Sequence, residues 1–160
     1  MLSGKRQVYI VPMDNGAELP LTTLGVDDNN RVNVTDDFGD RAGFVPVQTS
    51  AKSNKYLVKT ADMRSGGEPL CLQVQGNGSN PLTVVTKACD AGNSDQIFQF
   101  QEQGKDKRGQ NRYLIHVDGV YLHYSKGSRY GLIAQESGEG DDVTSFVVSG
   151  YRAAQLPELD

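Results

Sequence analysis

A chain of 160 residues, 37% hydrophobic and 22% charged, is long enough to close one core without metals or several cross-links. Its net charge of −4 comes with scattered lysines and arginines, so the basic stripe that a nucleic-acid partner demands is missing. Apolar runs stop far short of the ~20 residues that a membrane-spanning helix needs.

Helical periodicity is nearly absent. Short alternating or apolar runs lie between Gly, Asn and Asp clusters, which is the pattern of strands and turns. In chain order the predicted strands are Gln7–Val11, Leu19–Leu24, Arg31–Thr35 and Gly43–Val47. Lys55–Lys59, Leu70–Val74, Leu82–Thr86 and Gln96–Phe100 follow. The last are Arg112–His116, Val120–Tyr124, Gly131–Ala134 and Ser145–Val148. The 18 glycines, above the usual share of about 7%, supply the turns between them.

The twelve runs fall into three groups. Tyr9, Tyr56 and Tyr113 stand in the opening strands, and Phe44, Phe98 and Phe146 in the closing ones. A phenylalanine alternating with small or polar neighbours points to one side of its strand. We therefore expect the three aromatic sets to converge on a shared axis. A unit of this size cannot bury its face alone, so the three must pack together. The reading is one all-β domain, with repeats at about 6–50, 51–104 and 105–150 and a polar tail at 151–160.

Cys71 and Cys89 are the only cysteines, and His116 and His123 the only histidines. By residue type alone they allow a disulfide, a convergent metal site or a Cys–His nucleophile pair, of which the disulfide is favoured. Oxygen-rich turns at Asp27–Asn30, Asp36–Asp37 and Glu139–Asp142 lack the spacing of a calcium loop. Asn33-Val34-Thr35 and Asn77-Gly78-Ser79 are glycosylation sequons. No nucleophile triad, phosphate loop or carboxylate pair stands out, so no catalysis and no cofactor are implied.

Three units of four strands resemble the β-trefoil. The middle unit, with Cys71-Leu72-Gln73-Val74, a second cysteine at 89 and the closer Gln96-Ile97-Phe98, resembles a ricin-B-type lectin repeat. That family has Cys-Leu-Asp-Val, a second cysteine about eighteen residues on, and Gln-x-Trp. The resemblance implies a Cys71–Cys89 disulfide and a non-enzymatic module that recognises a glycan or glycoprotein. It places the family's sugar-binding Asp, aromatic and Asn or Asp at Gln73, Lys87 and Asp95, beside Gln96, which in this fold often caps a turn by bonding backbone groups whatever the sugar site does. The Asp position falls near Thr23 in the first unit and on His123 in the third, so the expected sugar site is partly degenerate. Tyr124 or Tyr130 is the expected ring contact outside the middle unit.

A second expectation is a trefoil that binds protein through its loops, such as a protease inhibitor or a toxin adaptor subunit. Thr60–Pro69 reads as a long polar loop presenting Arg64, and Pro81–Val85 is similar to a stretch of Kunitz soybean-type inhibitors. The start, Met-Leu-Ser-Gly-Lys-Arg-Gln, has no signal-peptide core. The expected setting is nevertheless secreted or extracellular, with the leader absent from this chain; a cytoplasmic location and an origin as one domain of a larger secreted protein are the alternatives.

Overall fold

Six strands close on themselves. They are β1 (Val8–Asp14), β5 (Phe44–Gln48), β6 (Lys55–Ser65), β9 (Phe98–Lys105), β10 (Asn111–Val117) and β13 (Phe146–Gly150). Antiparallel pairing runs β1–β5–β6–β9–β10–β13 and back to β1, which leaves this ring no free edge. The computed structural model describes residues 7–14, 17–18, 23–36, 42–50, 54–65, 68–77, 80–105, 109–124, 131–136 and 144–150. The expectations for Leu19–Thr22, Asp37, Tyr130, Glu139–Asp142 and the tail lie outside those residues.

Three hairpins lie off the ring: β3 (Thr23–Val26) with β4 (Val32–Thr35), β7 (Glu68–Asn77) with β8 (Asn80–Ala88), and β11 (Val120–Tyr124) with β12 (Leu132–Glu136). A two-residue strand, β2 (Ala17–Glu18), folds back on β1. The hairpins touch one another. Arg31 bridges to Val85, Ala134 pairs with Leu82, and the Leu132 N–H donates to Asn33 Oδ1 at 3.1 Å. A six-stranded ring with three hairpins at equivalent places is the β-trefoil.

The register of the ring follows from its phenylalanines. Phe44, Phe98 and Phe146 are fully buried in one core, and each faces one residue of its unit's opening strand: Val8, Tyr56 and Tyr113. Burial of each ring contributes roughly 1.5–3 kcal/mol. Tyr9 is therefore not the counterpart of Tyr56 and Tyr113. Strand side chains alternate, so a slip of one residue sends Tyr9 to the other face, where it packs with Val11 and Ala42. Tyr56 and Tyr113 instead bracket Phe100 edge-on, with centroids 5.3 and 5.9 Å away.

Two other expectations are corrected. Thr60–Pro69 is not a long loop: β6 continues to Ser65 and β7 begins at Glu68, with Arg64 opposite Pro69. Backbone pairing takes up what the loop reading left free, and Pro81–Val85 is simply part of β8. Gln96 is not in a strand but ends a 3-10 turn, Ser94–Gln96, and β9 starts at Phe98. Between β10 and β11, Asp118 and Gly119 take φ of 53° and 86°, as the tight turn of an antiparallel hairpin requires.

Candidate functional site

The β7–β8 hairpin turns Leu72 and Val74 into the core. Cys71 and Gln73 consequently face the other way, opposite Lys87 and Val85. A turn from Cys89 to Gln96 folds over this outer face, held by several short links. Cys71 and Cys89 form a disulfide, which rules out the metal-site and nucleophile alternatives for them. The Cys89 N–H donates to the Pro69 carbonyl at 3.2 Å.

Gln96 is the central fastener, 1% exposed. Its Oε1 accepts the Asp90 N–H at 2.8 Å, while Nε2 donates to the Ala88 carbonyl at 2.9 Å and to Gln73 Oε1 at 3.1 Å. Both amide protons are used within the fold, so Gln96 positions the turn and has no donor left for a ligand. Asn93 completes the arrangement. Its Oδ1 accepts the Asp95 N–H at 3.0 Å, capping the 3-10 turn, and its Nδ2 donates to Gln73 Oε1 at 3.1 Å. Asp90 closes a smaller turn by accepting the Gly92 N–H at 2.9 Å.

Gln73, Asn93 and Gln96 thus form one amide cluster, with Gln73 half-buried at its outer edge. Lys87 and Asp95 are exposed on either side of it in the chain. The residues of β7 and β8 that face outward here, Gln73, Val85 and Lys87, include no aromatic ring. Asn93 was missed by sequence reasoning. The available signal was its place before Ser94-Asp95 in a polar turn, where an Asn side chain caps backbone N–H groups.

The third unit repeats the geometry with other residues. His123 Nδ1 lies 3.0 Å from Thr144 Oγ1. That hydroxyl also accepts the Tyr124 N–H at 2.8 Å and donates to the Tyr124 carbonyl at 3.1 Å. A hydroxyl has one proton, so the arrangement that satisfies every group has His123 Nδ1–H donating. Thr144, buried and far from His123 in sequence, left no local signal. Tyr124 is on the core side of β11 and packs against the core. Tyr121 shares the outer face with His123, and its ring lies tilted against His116 with centroids 4.7 Å apart. The His116 Nδ1 is buried without a partner, and burial pulls its pKa below the ordinary 6.5.

In the first unit the buried Leu24 matches Leu72 and Leu122. The place near Thr23 therefore shifts to Gly25, which has no side chain to offer. Thr23 itself is fully buried and donates to the Ile10 carbonyl at 3.0 Å. In the turn at Asp27, Oδ1 accepts the Asn29 and Arg31 N–H groups at 2.8 and 3.0 Å, so this carboxylate serves the turn. Among the described residues no three His, Cys, Asp or Glu side chains gather to hold a metal ion, and no helix is long and apolar enough to cross a membrane.

No protein-family model and no curated protein sequence matches the chain. Solved structures do match, and their likeness shows the β-trefoil fold. The Polyporus squamosus lectin bound to the human-type influenza-binding epitope Neu5Aca2-6Galb1-4GlcNAc is similar with TM-score 0.64 and 13% identity, over 94% of this chain and 50% of that one. SeviL bound to asialo-GM1 saccharide has TM-score 0.56 and 17% identity, over 91% and 97%. Cry35Ab1 has TM-score 0.64 and 15% identity, over 93% and 36%. This chain thus spans half of the Polyporus squamosus lectin and about a third of Cry35Ab1. The fold is one that carbohydrate-binding lectins use.

Proposed function

We propose that the chain is a carbohydrate-binding module whose sugar site is the outer face of the middle unit. The observation behind this reading is the amide of Gln73, held at one oxygen by Asn93 and Gln96 so that its nitrogen is set before any ligand arrives. A preorganised polar group loses little freedom on binding, which is how weak saccharide contacts become selective. Asp95 supplies an exposed carboxylate that can accept from ring hydroxyls with charge-assisted strength. Lys87 replaces the flat ring that a ricin-B-type repeat would offer, so stacking contributes less here. The lectins with which the chain shares its fold support the reading, and the disulfide fits an extracellular setting. In the third unit, His123 and the outward Tyr121 form a secondary candidate.

The test is a glycan array probed with the wild type and with Gln73→Ala. Binding to a defined set of glycans that is lost in the variant, with the melting temperature retained, is the expected result. No binding to any glycan at high protein concentration would overturn the proposal.

A further inference from the structure

The polarity of Gln73 narrows the class of sugar. Its Oε1 receives two hydrogen bonds, from Asn93 Nδ2 and Gln96 Nε2, both at 3.1 Å. A carbonyl oxygen offers two lone-pair sites, so this acceptor is fully used by the protein. What Gln73 still presents is Nε2 with two donors, which has no partner among the described residues. Asn93 also has a donor to spare: its Oδ1 holds the Asp95 N–H, and one of its two amide protons is given to Gln73, which leaves the other.

Lys87 adds a positive charge on that face. Cys71 lies opposite Lys87 and Gln73 opposite Val85, which makes Lys87 a diagonal neighbour of Gln73, roughly 7–8 Å away across the strands. Lys87 is exposed and makes no hydrogen bond or ion pair among the described residues. A ricin-B-type repeat would have an acceptor and a ring here; this chain has donors and a cation. We infer that this site takes an anionic saccharide, whose carboxylate or sulfate accepts from Gln73 Nε2 and pairs with Lys87.

Two exposed carboxylates are near in sequence, so the anion is held at Gln73 and Lys87 and not along the turn. Asp90 turns one oxygen to the Gly92 N–H, and Asp95 is the acceptor for a hydroxyl of the same ligand. The inference rests on the carbohydrate reading above, and its test separates the two.

An array printed with neutral glycans beside their sulfated, sialylated and uronic-acid-containing counterparts is probed with the wild type, Lys87→Gln and Gln73→Glu. Gln73→Glu keeps the shape and the inner acceptor but replaces the outward donors with a negative oxygen. The wild type is expected to favour acidic over matched neutral glycans by roughly tenfold, the worth of one charge-assisted hydrogen bond. The margin should shrink as salt screens the pair, and both variants should lose it. Separate sulfated and carboxylated arms tell which anion is preferred. Equal or better binding of neutral glycans overturns the anionic assignment and leaves the carbohydrate reading standing. No glycan binding at all overturns both. A margin that survives in Lys87→Gln, an exposed position that tolerates the change, overturns the assignment of the anion to this face.

Discussion

Gln96 donates to Gln73 across 3.1 Å, and the residues at the same two places of the third unit, Thr144 and His123, meet at 3.0 Å. The equivalence comes from the buried leucines 72 and 122 and the closing phenylalanines 98 and 146. The first unit has Gly25 and Ala42 there, which carry no polar side chain. One architectural position, a residue on the outer face fastened by one two places before the closing phenylalanine, is thus polar in the second and third units and empty in the first.

Gln96 should be the most costly polar residue of the site to remove. Gln96→Leu leaves the Asp90 N–H and the Ala88 carbonyl without partners beneath the turn. A loss of about 2–4 kcal/mol is expected from such unsatisfied groups. Urea unfolding measures it, and a change under about 1 kcal/mol would show that water replaces the amide.

The disulfide ties residues 18 apart in the chain. A loop of that size is worth about 3 kcal/mol through the unfolded state. The Cys71→Ala, Cys89→Ala double variant should unfold at correspondingly lower urea. It should retain the β-sheet circular dichroism signal, because the six-stranded ring contains neither cysteine.

Gly131 has φ of +65°, and a Cβ added there would run into the Asn33 side chain. That side chain accepts the Leu132 N–H and so joins the first hairpin to the third. Gly131→Ala combines a strained backbone with a broken link, and about 1–3 kcal/mol should be lost. Faster hydrogen exchange at the Leu132 amide would confirm where the damage falls.

His116 makes stability depend on pH. Burial disfavours its charged form and lowers its folded pKa below 6.5, so the unfolded chain binds the proton more readily. Its contribution is fully present above 6.5 and is lost as pH falls through the folded value. His116→Phe keeps a ring against Tyr121 and removes the titration. Its stability advantage over the wild type should therefore grow between about pH 7 and pH 5. A constant difference in urea midpoint across that range would refute this.

Much of the fold was legible locally. Alternation marked the strands, and Phe44, Phe98 and Phe146 marked the buried side of each closing strand. Tyr9 shows the limit, since alternation reveals that two faces exist without saying which residue begins the count. Pairing with Phe44 made that choice and selected Val8. The Thr60–Pro69 stretch was polar enough to read as a loop, yet its backbone pairs across β6 and β7. At the candidate site, Gln73, Lys87, Asp95 and Gln96 are all named from the sequence, Gln96 with a turn-capping role toward backbone groups, but not the amide bonds that tie Gln96 and Asn93 to Gln73.

By itself the sequence determined what local chemistry can express: an all-β chain, its strand faces, and a middle unit with two cysteines around a Gln-x-Phe closer. Only the tertiary structure decided which strands close the ring and which amide groups are already occupied. Gln73 and Gln96 are 23 residues apart and His123 and Thr144 are 21 apart, and contacts at such separations leave no periodic trace in the chain. They exist because the closed ring and its hairpins bring distant segments over one face. There each polar group beneath the turn takes the nearest complementary partner to offset its lost water.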